Sequence, residues 1–232
     1  MNEGFESELS FWDQELSLKG FYSDDILNRL NPERMERVFP HYMRGLLEQL
    51  LNASGSLPRV IDVGSGPLSM LAYGARQRWL ELTAADPLAD RYRQLLARYG
   101  HEPNCSLVEA FGEDLSSVFG ENQFDLAWIH NALDHTRSPE RVLREMVKIL
   151  RPGGYLYIQG WTREGTGEGW NGLHQHDLYL LPGPILACES RLGASAMTPV
   201  QNLTEGLPIV LVEATDPIQT VRSWMKLVCR KL

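Results

Sequence analysis

Arg59-Val60-Ile61-Asp62-Val63-Gly64-Ser65-Gly66-Pro67 reads as a short apolar strand that runs into an acid and then into two glycines one residue apart. Glycines turn the chain tightly and bring its backbone close to a ligand. The next residues, Leu68, Leu71, Ala72 and Ala75, have the spacing of a helix packing back on a sheet. Outward from this unit, strand patterns at 59–63, 81–86, 106–111, 124–130 and 155–160 alternate with helices that begin near Leu68, Leu88, Glu113 and Pro139. Such alternation predicts an α/β fold, a doubly wound and mostly parallel sheet whose ligands sit beyond the carboxyl ends of the strands. The helix after Ser138-Pro139 is the plainest, with Val142, Leu143, Met146, Val147 and Leu150 in one stripe and Pro152-Gly153-Gly154 stopping it.

Residues 1–56 read as a helical extension or lid, and residues 57–232 as the ligand-binding domain. In the extension, Asn31 is placed to cap and Pro32 to occupy a first helical position. Met35, Val38, Phe39, Tyr42, Met43, Leu46, Leu47, Leu50 and Leu51 then recur every three or four residues. Pro40 splits or kinks that helix. Residues 161–184, rich in glycine and ending Pro182-Gly183-Pro184, read as a loop region. Segments 208–213 and 224–230 read as two further strands, with an amphipathic helix as the alternative for the second.

The formal charge of −8 opposes a phosphate backbone, and no dense Lys/Arg run offsets it, which disfavours nucleic acid as a partner. Cys105, Cys188 and Cys229 form neither a disulfide framework nor a paired metal pattern. Acids at Glu3, Glu6 and Glu8 stand where a secretory signal carries positive charge, and no apolar run reaches the ~18 residues of a membrane span. A protein of the cytoplasm is expected; oligomeric state is not readable.

The glycine turn is followed in order by Leu82-Thr83-Ala84-Ala85-Asp86, by Phe124-Asp125-Leu126-Ala127-Trp128-Ile129-His130-Asn131-Ala132-Leu133-Asp134-His135, and by Leu150-Arg151-Pro152-Gly153-Gly154-Tyr155-Leu156-Tyr157-Ile158. Together they resemble the class I S-adenosylmethionine-dependent methyltransferases. The resemblance implies a seven-stranded Rossmann-like sheet with an antiparallel terminal strand. It also implies S-adenosylmethionine as cofactor, held by Asp62, Gly64, Ser65 and Gly66, by Asp86 and Pro87 at the ribose, by Phe111, Gly112, Glu113 and Asp114 at the adenine, and by His130. The usual acid of the adenine segment is replaced by Phe111, which shifts that contact to Glu113 or Asp114. An NAD site is the competing reading: Asp86, 20 positions past Gly66, serves either ribose. Asp62 before the turn suits a sulfonium or ammonium rather than a pyrophosphate, and Ser69 stands where a dinucleotide site has a third glycine.

Methyl transfer onto a hydroxyl needs alignment and a base. Four of the six histidines fall near strand ends: His130 and His135 after the fourth strand, His174 and His176 after the fifth. Each is a candidate catalytic base, and each also fits a loop histidine bonded to backbone. Their spacing is no known metal pattern, so no metal is expected, although His130, Asp134, His135, His174, His176 and Asp177 hold enough donors for a divalent ion. Phe11-Trp12-Asp13 and the 174–177 loop are similar to uncharacterised bacterial methyltransferases of glycan or secondary-metabolite pathways, which points to a small-molecule or saccharide hydroxyl as acceptor. N-methylation of an amino sugar or small amine, and a non-catalytic binding module on the same fold, are the alternatives.

Overall fold

The computed structural model describes residues 2–183, 185–192, 196–215 and 222–232. Two helices open the chain, α1 (Asn2–Leu16) and α2 (Ser23–Leu30), before α3 (Arg44–Ser54). The helix expected from Asn31 onward is broken: Asn31 closes α2 instead of capping a new helix, and Pro40 leaves only 3-10 turns at Met35–Arg37 and His41–Met43 before α3. The cause is the missing N–H and fixed φ of proline, which cannot continue a regular helix.

The cofactor-type core follows as β1 (Arg59–Val63), α4 (Ala72–Arg76), β2 (Glu81–Asp86), α5 (Ala89–Arg98), β3 (Leu107–Glu109), α6 (Leu115–Phe119), β4 (Phe124–His130), α7 (Pro139–Ile149) and β5 (Leu150–Trp161). Then come α8 (Glu164–Gly167), β6 (His176–Leu181), β7 (Ile185–Leu192), β8 (Ala196–Met197), β9 (Gln201–Asn202), β10 (Ile209–Ala214) and β11 (Trp224–Lys231). The main sheet has seven strands in the order β10-β11-β5-β4-β1-β2-β3. Strands β1 to β5 pair in parallel, whereas β11 runs antiparallel to both β5 and β10. Pairing of β11 with β5 from Trp224 opposite Trp161 to Arg230 opposite Tyr155 makes the last segment a strand rather than a helix.

Alternation along β4 divides the core. Ala127 and Ile129 face α7, through Val142, Leu143 and Met146, while Leu126 and Trp128 face the other layer with Phe39, Met43 and Leu47. Ser138 caps α7 by accepting from the Arg141 N–H at 3.3 Å. Pro152-Gly153-Gly154 lies inside β5 as an irregularity: Phe124 opposes Leu150 and Leu126 opposes Tyr155, so three residues of β5 are looped past the register.

Residues 161–184 are not a loop. They hold α8 and β6, and β6 pairs antiparallel with β7 to start a second, four-stranded sheet. Glycines at the head of this stretch mark the turns around α8, while Leu178 and Leu180, with Leu186 and Cys188 of β7, pack into the same apolar cluster as Met225 and Leu227. Pro184 lies outside the described residues. No helix among them is long and apolar enough to cross a membrane.

Candidate active site

Beyond the carboxyl ends of β1, β2 and β4 opens a cavity of about 540 Å³. That is the size of a small-molecule site. Its floor is the turn after β1, where Gly64 and Gly66 have φ of +67° and +62°. A Cβ on Gly64 would stand 2.5 Å from that of Ala132, and one on Gly66 would stand 2.8 Å from the Trp12 ring. Both positions therefore require glycine for conformation and for space.

Asp86 ends β2 and is 7% exposed. Its Oδ2 accepts from the Gly66 N–H at 3.1 Å and its Oδ1 from the Leu88 N–H at 2.8 Å. Each oxygen keeps a second acceptor position. Burial drives its pKa up to about 7 against the pull of those two N–H groups. Asp62 is buried likewise and pushed up to about 7, with the Ser69 hydroxyl at 2.5 Å and the Arg29 charge working the other way. Two buried acids held this high are an uncompensated negative potential, which a bound cation relieves. Trp128 adds a fully buried indole N–H with no partner among the described residues, beside the same cavity. A buried donor of this kind calls for a ligand acceptor. The donor set therefore fits a ligand carrying a positive centre and a diol, as S-adenosylmethionine does.

Gly64, Ser65, Pro87, Phe111, Gly112 and Glu113 also line the cavity. Phe111 forms a wall between Phe5, at 6.3 Å, and the Arg137 guanidinium, at 4.4 Å. Glu113 spends one oxygen on the N–H groups of Arg137 and Ser138, at 2.8 and 3.2 Å, and so anchors the entry to α7. Asp114 does not reach the cavity: it pairs outward with Arg141 at 2.6 Å, because the 3-10 turn at Gly112–Asp114 rotates it to the far side.

The four histidines separate cleanly. His176 does not line the cavity; Nε2 donates to the Thr136 carbonyl at 2.8 Å, and Nδ1 accepts from the Ser190 hydroxyl at 2.6 Å. With both ring nitrogens spent, it pins the β4–α7 turn to the second sheet and is not a base. His130 does line the cavity, but Tyr42 donates to Gln159 Oε1 at 2.5 Å, which turns the amide N–H toward His130 Nδ1 at 2.6 Å. Its remaining proton then sits on Nε2, and burial, helped by Arg29, drives the ring down to about 4. His130 is a neutral donor, not a base.

His135 and His174 meet across the cavity wall. His174 Nδ1 lies 2.8 Å from Asp134 Oδ2 and 3.1 Å from His135 Nε2, and the latter lies 3.5 Å from the same Oδ2. Asp134 is 3% exposed. Burial pushes its carboxyl up, yet the His135 charge and the His174 hydrogen bond hold it below the ordinary value; burial pulls His174 down, yet Asp134 holds it above. Asp134 was legible as a possible metal donor but not as the partner of His174, which stands 40 residues on. Asp177 is elsewhere, accepting from the N–H and hydroxyl of Thr166.

The open side carries groups that sequence reasoning missed. Trp161 and Trp224 meet edge to face at 5.2 Å and remain 42% and 39% exposed. Arg222 holds Glu164 at 2.7 Å and Glu168 at 3.0 Å. Trp161 ends β5 and Glu164 follows it, so the strand-end rule that found His135 also covers them. Helices α1 and α2 and the turn between them close the other side with Trp12, Arg29 and Tyr22.

A family profile described as "Methyltransferase domain" matches residues 61–158. The chain is 28% identical over 163 residues to a sarcosine/dimethylglycine N-methyltransferase of Halorhodospira halochloris, covering 65% of this chain and 52% of the relative. It is 24% identical over 173 residues to the chloroplastic tocopherol O-methyltransferase of Arabidopsis thaliana, covering 70% and 48%. The chain thus spans about half the length of these relatives. Among solved structures, a putative sarcosine dimethylglycine methyltransferase of Galdieria sulphuraria superposes with a TM-score of 0.54 at 12% identity, over 82% of this chain and 84% of that one, a likeness of fold.

Proposed function

The chain belongs to the class I S-adenosylmethionine-dependent methyltransferases, and from that membership we propose that it methylates a hydroxyl of a small-molecule or saccharide acceptor, with a histidine taking the proton. The observation that carries this reading is the Asp134–His174 contact at 2.8 Å on the wall of the cavity that holds Asp62 and Asp86. S-adenosylmethionine, when bound, supplies an electrophilic methyl on a positively charged sulfur that leaves as a neutral thioether. Asp86 accepts from the ribose hydroxyls through its free acceptor positions, and Asp62 faces the cationic end. Asp134 keeps the His174 proton on Nδ1, which leaves Nε2 as the acceptor of the hydroxyl proton. As the acceptor oxygen bonds to the methyl carbon, that proton goes to Nε2. His130 donates from Nε2 to an acceptor-side oxygen, and residues 2–56 exclude water from above the cofactor. Three free cysteines suit a reducing cytoplasm.

The rival is N-methylation, favoured by one feature: Trp161, Trp224, Glu164 and Glu168 line one cavity, and aromatic faces with acids nearby also suit an amine, although Arg222 already pairs with both glutamates. An acceptor screen by mass gain of one methyl group, run on wild type and His174→Ala, tests the proposal. A hydroxyl acceptor and a ~100- to 10,000-fold loss of turnover in the variant are expected. An amine acceptor, with turnover unchanged in the variant, would reverse it.

A further inference from the structure

A proton bridges two atoms, whereas a metal ion bridges three. Asp134 Oδ2, His135 Nε2 and His174 Nδ1 are mutually 2.8, 3.1 and 3.5 Å apart. One hydrogen bond accounts for the shortest of these separations, and the His135 nitrogen is directed at the same point. Ligand atoms about 2.1 Å from a common cation lie about 3.0 Å apart on an octahedral face and about 3.4 Å apart in a tetrahedron, and the three observed separations bracket that range. A cation equidistant from all three would stand roughly 1 Å out of their plane. The ligands come from two segments, the turn after β4 and the loop before β6, which His176 ties together through its bonds to Thr136 and Ser190. Asp134 is buried, while His135 and His174 line the cavity, so further coordination positions open toward a ligand there.

We infer that Asp134, His135 and His174 form a binding site for one divalent transition-metal ion of the Zn²⁺ or Co²⁺ type, and that the ion competes with the base function proposed above. Two imidazoles and one carboxylate select such ions over Mg²⁺ and Ca²⁺, which prefer all-oxygen sites. Competition follows from the ring's proton count. A neutral imidazole carries one proton; a cation on His174 Nδ1 sends that proton to Nε2, and Nε2 then has no lone pair to receive the acceptor's hydroxyl proton. This consequence rests on the histidine reading of the site, whereas the metal site itself does not.

The test is titration of the chelator-treated full chain with Co²⁺, followed by visible absorption, and with Zn²⁺ by calorimetry. One ion per chain is expected, bound at least ~10-fold more weakly in each of Asp134→Asn, His135→Ala and His174→Ala. Binding in His41→Ala and His101→Ala should match wild type. Retained S-adenosylhomocysteine binding shows that each variant is folded. No stoichiometric binding, or binding indifferent to all three variants, overturns the site even if turnover still depends on His174. With the acceptor from the screen, turnover should survive EDTA and fall on addition of Zn²⁺. Loss of turnover in EDTA with recovery in Zn²⁺ would overturn the competition and the histidine base together while leaving the binding result intact.

Discussion

Asp86 has an acceptor position left on each oxygen after the Gly66 and Leu88 N–H groups are counted, and two vicinal hydroxyls are the natural complement. Asp86→Ala should therefore weaken S-adenosylhomocysteine binding by ~1.5–3 kcal/mol, the range for hydrogen bonds to a charged acceptor, as read by calorimetry. Unchanged affinity would dissociate this acid from the ribose. His176→Ala is expected to behave in the opposite way to His174→Ala. It removes two hydrogen bonds of a buried ring and should cost about 1–3 kcal/mol of stability in denaturant titration, with the affinity for S-adenosylhomocysteine retained. At this scale the chain was partly legible. Asp62, Gly64, Gly66 and Asp86 could be read because a strand and its turn are local and the ligand sits at the tip. Which of four histidines reaches the cavity could not, since the answer depends on contacts between residues 29 to 40 positions apart: Gln159 disarming His130, and Asp134 holding His174.

The first helix and the glycine turn are one mechanical unit. Trp12 of α1 lies against Gly66, so a side chain there strains a φ of +62° and pushes at the indole at once. Gly66→Ala should cost at least ~1 kcal/mol of stability and lower cofactor affinity as well. Thermal melts with and without S-adenosylhomocysteine measure both, and a variant with wild-type affinity would separate α1 from the cofactor site. The elements of the main sheet were legible from period and order, but the second sheet was hidden. Glycines between 165 and 172 and Pro182 suggested a loop, while the packing of Leu178 and Leu180 on residues of β11 is a tertiary contact with no local signature. The helix expected after Asn31 gives way for a local reason: at Pro40, where a split or kink is expected, only 3-10 turns form on either side before α3.

For the whole molecule, the two buried cavity acids Asp62 and Asp86 set a pH trend. Asp62 and Asp86 have folded pKa values of about 7 against an ordinary 3.8, so the native chain binds the extra protons between those limits. Stability contributed by their protonated forms is present below about pH 4 and lost as pH rises through 7; His130, lowered to about 4, and His176, also lowered, oppose this, while Glu164 and His174, both raised, add to it. Melting of the cofactor-free protein should fall as pH rises from 5 to 7, and less steeply in Asp86→Asn. A positively charged ligand lowers both pKa values, so cofactor binding near neutrality should release protons, seen as a calorimetric heat that depends on the buffer's ionisation enthalpy. An identical slope in the variant and a buffer-independent heat would contradict the assignment.

The second sheet enters the chain between β5 and β10, and the loop leading into it carries His174, whereas the buried acids Asp62 and Asp86 both precede β3. On the proposed reading, the acids that receive the methyl donor and the histidine that activates the acceptor are written in separate stretches of the gene. A duplicated copy can exchange or reshape the insertion and acquire a new acceptor without disturbing its donor, so descent along this line should diversify by what it modifies and not by what it consumes.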